Sequence, residues 1–79
     1  MKTDSKKNPV SKKFGKRLKT IRLEKGYVSL EAFALKANVS RVLYTNWESG
    51  KGNITLKNIA KVTKAFNISL KDFFSEGFD

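Results

Sequence analysis

Four hydroxyl side chains divide this chain into short pieces. Ser29, Ser40, Thr55 and Ser69 each stand just before a stretch with helical apolar spacing. At that position a side-chain oxygen accepts a hydrogen bond from a backbone N–H that the new helix leaves unsatisfied. Stop signals follow each stretch: Gly26, Asn38, the Gly50–Asn53 turn and Asn67, residue types that tolerate a left-handed backbone. The first helix is predicted from Ser11, with Phe14, Leu18 and Ile21 on one stripe and Lys12, Lys16 and Lys19 opposite. A second runs over residues 30–37 with Phe33, Ala34 and Ala37 inward, and a third over 41–49 with Tyr44 and Trp47 inward. The fourth follows Thr55, with Leu56, Ile59, Ala60, Thr63 and Phe66 as its stripe. Ser69 and Asp72 form an S-x-x-D capping box around a fifth, which carries Leu70, Phe73 and Phe74. No stretch alternates like a strand and no repeat is present, so the expected fold class is all-α, a bundle of five helices.

Composition narrows the function. A chain of 79 residues builds one domain, without a cleft between two. It has no Cys and no His, which excludes a disulfide framework, a thiol nucleophile, a Ser-His relay and an ordinary zinc site. No cofactor, no metal and no enzymatic activity are expected. No apolar run is long enough to span a bilayer and no signal-peptide core is present, so the expected location is the cytoplasm. The net charge of +10 points to a polyanionic partner. That charge is lopsided: residues 1–25 carry +8 and residues 26–79 only +2. Residues 1–10, MKTDSKKNPV, read as a flexible basic arm, residues 11–75 as the folded domain, and residues 76–79 as a short acidic tail.

Only about three residues separate the second and third helices. Ala34 is small where two helices cross closely, and Asn38 suits a sharp turn, a spacing that fits a helix-turn-helix whose second helix enters the DNA major groove. The stretch RLKTIRLEKGYVSLEAFALKANVSRVLYTNWESGKGNITL resembles the phage-repressor, or Xre/Cro-like, helix-turn-helix family. Its W-E-S-G-K run is similar to that family's I-E-x-G-K ending, and the resemblance covers about residues 14–74. It is closest in flavour to the short stand-alone regulators, including the controller proteins of restriction–modification systems. The resemblance implies a lambda-repressor-like five-helix domain that binds double-stranded DNA.

The same resemblance assigns roles to residues. The reading helix starts at the Ser40 cap, with Arg41, Val42, Thr45 and Asn46 toward the bases. The inward placement of Tyr44 and Trp47 selects the same four as outward, although solvated surface is the alternative for each. Arg grips guanine O6 and N7, Asn grips adenine N6 and N7, and Val or Thr meets a thymine methyl. Phosphate contacts are assigned to Ser29, Ser40, Ser49, Lys51 and Asn53. The family also pairs an arginine of the first helix with a glutamate near the end of the reading helix, here Arg22 and Glu48. If buried, that pair loses about 3–5 kcal/mol when one partner is removed.

The family usually has glutamine, a phosphate anchor, where this chain has Leu30, and glycine where it has Asn38. Leu70, Phe73, Phe74 and Phe78 supply more apolar surface than one terminal helix needs. They are the expected interface of a homodimer, which would present two reading helices about 34–36 Å apart to a pseudo-palindromic operator. The expected function is therefore sequence-specific transcriptional regulation. The alternative is a protein-interaction module, such as an antitoxin, that uses the fold to hold a protein partner.

Overall fold

The computed structural model describes residues 9–79. Five helices make up the ordered part: α1 (Pro9–Glu24), α2 (Leu30–Ala37), α3 (Arg41–Glu48), α4 (Leu56–Phe66) and α5 (Leu70–Phe74). No strand is present among the described residues. Each of the four hydroxyl caps accepts from the backbone N–H three residues on: Ser29 from Ala32, Ser40 from Leu43, Thr55 from Asn58 and Ser69 from Asp72. At the far ends, Asn38 and Asn67 adopt left-handed geometry, with φ of 59° and 63°. Their N–H groups return to carbonyls of the last helical turn.

Two boundaries differ from expectation. Pro9 and Val10, assigned above to the arm, form the start of α1. Proline suits that place because its ring presets φ for a helix and its missing N–H would have had no partner there. The remainder of the expected arm, residues 1–8, lies outside the described residues. The acidic tail is not a separate appendage. Arg17 of α1 donates from Nε to the Phe73 carbonyl (2.7 Å) and from Nη2 to the Asp72 carbonyl (2.8 Å), and its Nη1 lies 3.6 Å from Glu76. Lys13 Nζ donates to the Asp79 carbonyl at 2.6 Å. The C-terminal carbonyls of α5 and the residues after it are thereby tied to α1.

The core is largely aromatic. Phe33 of α2 stacks on Phe66 of α4 with centroids 4.3 Å apart, and Tyr44 of α3 meets Phe33 at 5.3 Å. Phe14 of α1 packs on Phe73 of α5 at 5.3 Å. Leu18, Ile21, Ala34, Ala37 and Trp47 fill the space between. In α4 the buried stripe is Ile59, Val62, Thr63 and Phe66. Leu56 and Ala60, expected in that stripe, are exposed. Leu56 opens the helix one turn before it reaches the core, and Val62 at i+3 from Ile59 takes the inward place instead.

Helix α1 crosses the end of α3 at Gly15. A Cβ on that glycine would lie 2.5 Å from the carbonyl oxygens of both Trp47 and Glu48. The crossing therefore needs a residue without a side chain, although glycine inside a helix is otherwise unfavourable by about 0.5–1 kcal/mol. Gly50, at φ +82° under the Lys12 backbone, completes the same close approach. Gly15→Ala is expected to destabilise the fold by about 1–3 kcal/mol through forced separation of α1 and α3. Urea unfolding checks this, and a stabilised variant would show that the crossing tolerates a Cβ.

Candidate nucleic-acid interface

Asn38 makes the turn between α2 and α3 within three residues, and the Val39 N–H closes it by donating to the Ala34 carbonyl (3.1 Å). Ala34 is fully enclosed at the contact. Tyr44 and Trp47 face the core, and the Trp47 indole N–H donates to the Asn53 carbonyl at 3.2 Å, which fixes the loop after α3. The opposite side of α3 is left to solvent. Arg41 and Val42 are exposed, Thr45 and Asn46 half-buried. Leu43 is also 46% exposed, and it was not among the residues expected at this surface. Spacing gave no signal for it, since Leu43 lies four residues before the buried Trp47 and so on the same side of the helix.

One junction carries the unit. Arg22 Nε donates to Glu48 Oε2 at 2.7 Å and Nη2 to Oε1 at 3.3 Å. The two side chains are 6% and 7% exposed. Nη1 donates to the carbonyls of Tyr27 (2.7 Å) and Val28 (2.9 Å). A single guanidinium thus joins the end of α1, the loop before α2 and the last turn of α3. The hydrogen bond to Glu48 holds the Arg22 pKa above its ordinary value despite burial. The Tyr44 hydroxyl is buried against this pair and has no hydrogen-bond partner of its own. Burial first, then the neighbouring Glu48 carboxylate, pushes the phenol well above the ordinary tyrosine range.

The expected phosphate contacts divide by the state of their hydroxyls. Ser29 and Ser40 accept a backbone hydrogen bond and keep a proton to donate. Ser49 is different: its hydroxyl donates to the Thr45 carbonyl at 2.8 Å, so in this rotamer it offers a phosphate no proton. The Thr45 hydroxyl likewise donates to the Arg41 carbonyl at 2.8 Å, which leaves an acceptor and a methyl group for a ligand. Lys51 and Asn53 are exposed beyond the helix. Leu30 is half-buried and packs on the core, so nothing at its position replaces the expected glutamine. A residue outside the expected set stands beside the surface: Glu31 Oε2 lies 3.5 Å from Arg41 Nη1.

The expected dimer residues also separate. Phe73 is fully enclosed in the protomer and unavailable to a partner, because α5 turns it under Phe14. Leu70 and Phe74 are 50% and 44% exposed, and Phe78 is half-buried against Phe74 at 5.0 Å. Beside them lies an apolar groove of about 510 Å³ lined by Val10, Phe14, Ile54, Ile59, Phe74 and Phe78. No group of acidic residues able to hold a metal ion occurs among the described residues. No described helix is long and apolar enough to cross a membrane.

A chain with this turn, this buried staple and this exposed third helix belongs to the helix-turn-helix family, whose match spans residues 18–73. Within it, the chain is similar to restriction–modification control proteins. It is 36% identical over 69 residues to control protein C.MunI of a Mycoplasma species, covering 87% of this chain and 93% of that protein. The structure of the controller C.AhdI from Aeromonas hydrophila superposes with a TM-score of 0.75 at 34% identity, covering 81% of this chain and 96% of that one. A C.Esp1396I tetramer in complex with its natural 35 base-pair operator superposes with a TM-score of 0.78 at 30% identity, covering 87% and 90%.

The raised Tyr44 pKa has a measurable sign. Between pH 10 and the folded-state value, the unfolded chain loses this proton while the folded chain keeps it. Stability is therefore full below about pH 10 and falls above it by up to about 1.4 kcal/mol per pH unit. Tyr44→Phe is expected to raise stability at pH 7 by about 1–3 kcal/mol, because the buried hydroxyl it removes has no partner. It should also flatten the alkaline decline relative to the unsubstituted protein. Chemical unfolding of both proteins from pH 7 to 11 checks this; parallel declines would remove Tyr44 as the cause.

Proposed function

We propose that this protein is a sequence-specific, double-stranded DNA-binding transcriptional regulator that acts as a homodimer on a pseudo-palindromic operator. The observation that carries the reading is the α2–Asn38–α3 unit, held rigid by the buried Arg22–Glu48 pair, with the outer side of α3 left free of the core. The similarity to a controller solved on its operator supports it. Arg41 and Asn46 contact base edges, Val42 and Thr45 contact thymine methyls, and Leu43 adds apolar surface beside them. Ser29, Ser40, Lys51 and Asn53 contact phosphates, with the Ser49 hydroxyl joining only after a rotamer change. The remaining lysines of residues 1–25, rather than the engaged Lys13, Arg17 and Arg22, supply attraction that carries no sequence information. Leu70, Phe74 and Phe78, together with the adjoining groove, form the dimer contact. The protein works by binding rather than by catalysis, in the cytoplasm where its DNA lies.

Selection of bound duplexes from a random pool tests this reading. One preferred, roughly palindromic sequence is expected, with log affinity falling linearly in log salt. Arg41→Ala should erase the preference at one position per half-site, a change of about 1–3 kcal/mol, and leave the rest of the site intact. Phe74→Asp should yield monomers in sedimentation and lose the preference for paired half-sites. Binding without base preference would overturn the reading.

A further inference from the structure

We infer that Glu31 is a positioning and specificity-determining residue for Arg41. Its carboxylate holds one nitrogen of the guanidinium, presents the other edge to a guanine, and opposes contact between Arg41 and DNA phosphate. The inference deepens the reading of α3 as the base-contacting helix and rests on it.

Three ion pairs occur among the described residues, and two lie in the body of the protein: Arg22–Glu48, and Arg17–Glu76 against the C-terminal residues. The third spans the two helices of the motif at the reading surface itself. Glu31 Oε2 is 3.5 Å from Arg41 Nη1, with side chains 69% and 60% exposed. Its placement answers a local electrostatic problem. Arg41 is the first residue of α3, a helix with no acidic residue in its first turn, so its charge sits at the positive end of the helix dipole. Glu31 lies in the first turn of α2, where that dipole favours an anion, and reaches across to offset the charge of Arg41.

The geometry suits base reading. Arginine presents its donors in a fixed planar fork. With Nη1 engaged by Glu31, Nε and Nη2 remain as a side-on pair, matched to the O6 and N7 acceptors of guanine. While both side chains are solvated the pair is weak. Once DNA excludes water from this surface, the same charges interact more strongly. The carboxylate also separates two competing ligands of Arg41. A guanine edge is neutral and meets no repulsion from Glu31. A phosphate brought to Arg41 comes within a few ångströms of a like charge. Glu31 therefore weakens the contacts that any duplex offers more than the one that a particular base offers.

The test compares the unsubstituted protein with Glu31→Ala, Glu31→Gln, Arg41→Ala and the double variant Glu31→Ala/Arg41→Ala. Three duplexes are used at fixed salt: the best sequence from the random pool, the same duplex changed at the position that Arg41→Ala erases, and an arbitrary sequence. Glu31→Ala should lower discrimination at that position about fivefold and tighten binding to the arbitrary duplex about two- to fivefold. Glu31→Gln, which keeps an acceptor for Nη1 without the charge, should recover much of the discrimination but bind arbitrary DNA as tightly as Glu31→Ala. In the Arg41→Ala background, Glu31→Ala should lower discrimination no further. Both side chains are exposed, and unchanged melting temperatures would confirm intact folds. If Glu31→Ala preserves discrimination while Arg41→Ala abolishes it, this inference is overturned and the reading helix stands. If Arg41→Ala itself leaves base preference unchanged, the reading helix falls and the role of Glu31 with it.

Discussion

The Arg22 guanidinium holds three separate pieces of backbone in register, and the position of α3 depends on that junction. Its Nε and Nη2 groups face the Glu48 carboxylate, while Nη1 caps the carbonyls of Tyr27 and Val28. With four hydrogen bonds made, little of the guanidinium's donor capacity is left unmet in a site closed to water. A buried ion pair is often no more stabilising than well-packed apolar residues of the same volume. What it supplies here is geometry: an ion pair with fixed fork directions admits one rotation of α3 about its axis, where an apolar contact admits several. Gly15 acts on the same end of α3, letting the carbonyls of Trp47 and Glu48 approach α1 closely. Glycine fixes the depth of the crossing, and the ion pair fixes its orientation.

The charge of +10 divides into parts with different work to do. Arg17 and Lys13 are engaged with α5 and the C-terminal residues, so they hold the fold together and are less free to attract DNA. Arg22 is neutralised inside the protein. Arg41 is paired with Glu31. The exposed lysines of α1, Lys12, Lys16 and Lys19, have no ion-pair partner among the described residues and remain as a diffuse positive surface. The surface proposed to read bases is thus nearly neutral until it docks, and the attraction that brings DNA close comes from elsewhere.

The helical segmentation was legible in the sequence because its causes are local. A hydroxyl cap acts on an N–H three residues away, and an asparagine at a helix end needs only its own backbone to turn. Ser29, Ser40, Thr55, Ser69, Asn38 and Asn67 could therefore be read from neighbouring residues alone. Arg22–Glu48 was legible only through the family resemblance, since 26 residues separate the partners and no local pattern links them. Gly15, the Arg17 clamp on α5, and Glu31–Arg41 were missed for that same reason: each is set by where two helices meet. Phe73 was misassigned because amphipathic spacing in a five-residue helix does not distinguish a core side from a partner side. The rotamers that occupy the Thr45 and Ser49 protons are invisible to sequence patterns altogether.

The first turn of α2 shows how these choices combine. A helix N-terminus with Ser29 as its cap is well suited to a phosphate. Yet the next two residues work against a strong anchor there, since Leu30 packs on the core and Glu31 places a carboxylate beside the site. The proposed complex consequently draws less of its affinity from the backbone at α2 and relies more on the α1 lysines, on Lys51, and on pairing of two protomers. The lysine contributions fall steeply with salt and do not distinguish sequences. Sequence preference is left to a small set of contacts on α3, whose effect is larger when the competing phosphate contacts are weak. Specificity is a difference between two affinities, and lowering the unwanted one raises it as surely as strengthening the wanted one. On this view the loss of the glutamine anchor and the presence of Glu31 act in the same direction, toward a regulator that holds arbitrary DNA loosely and binds its operator as a pair.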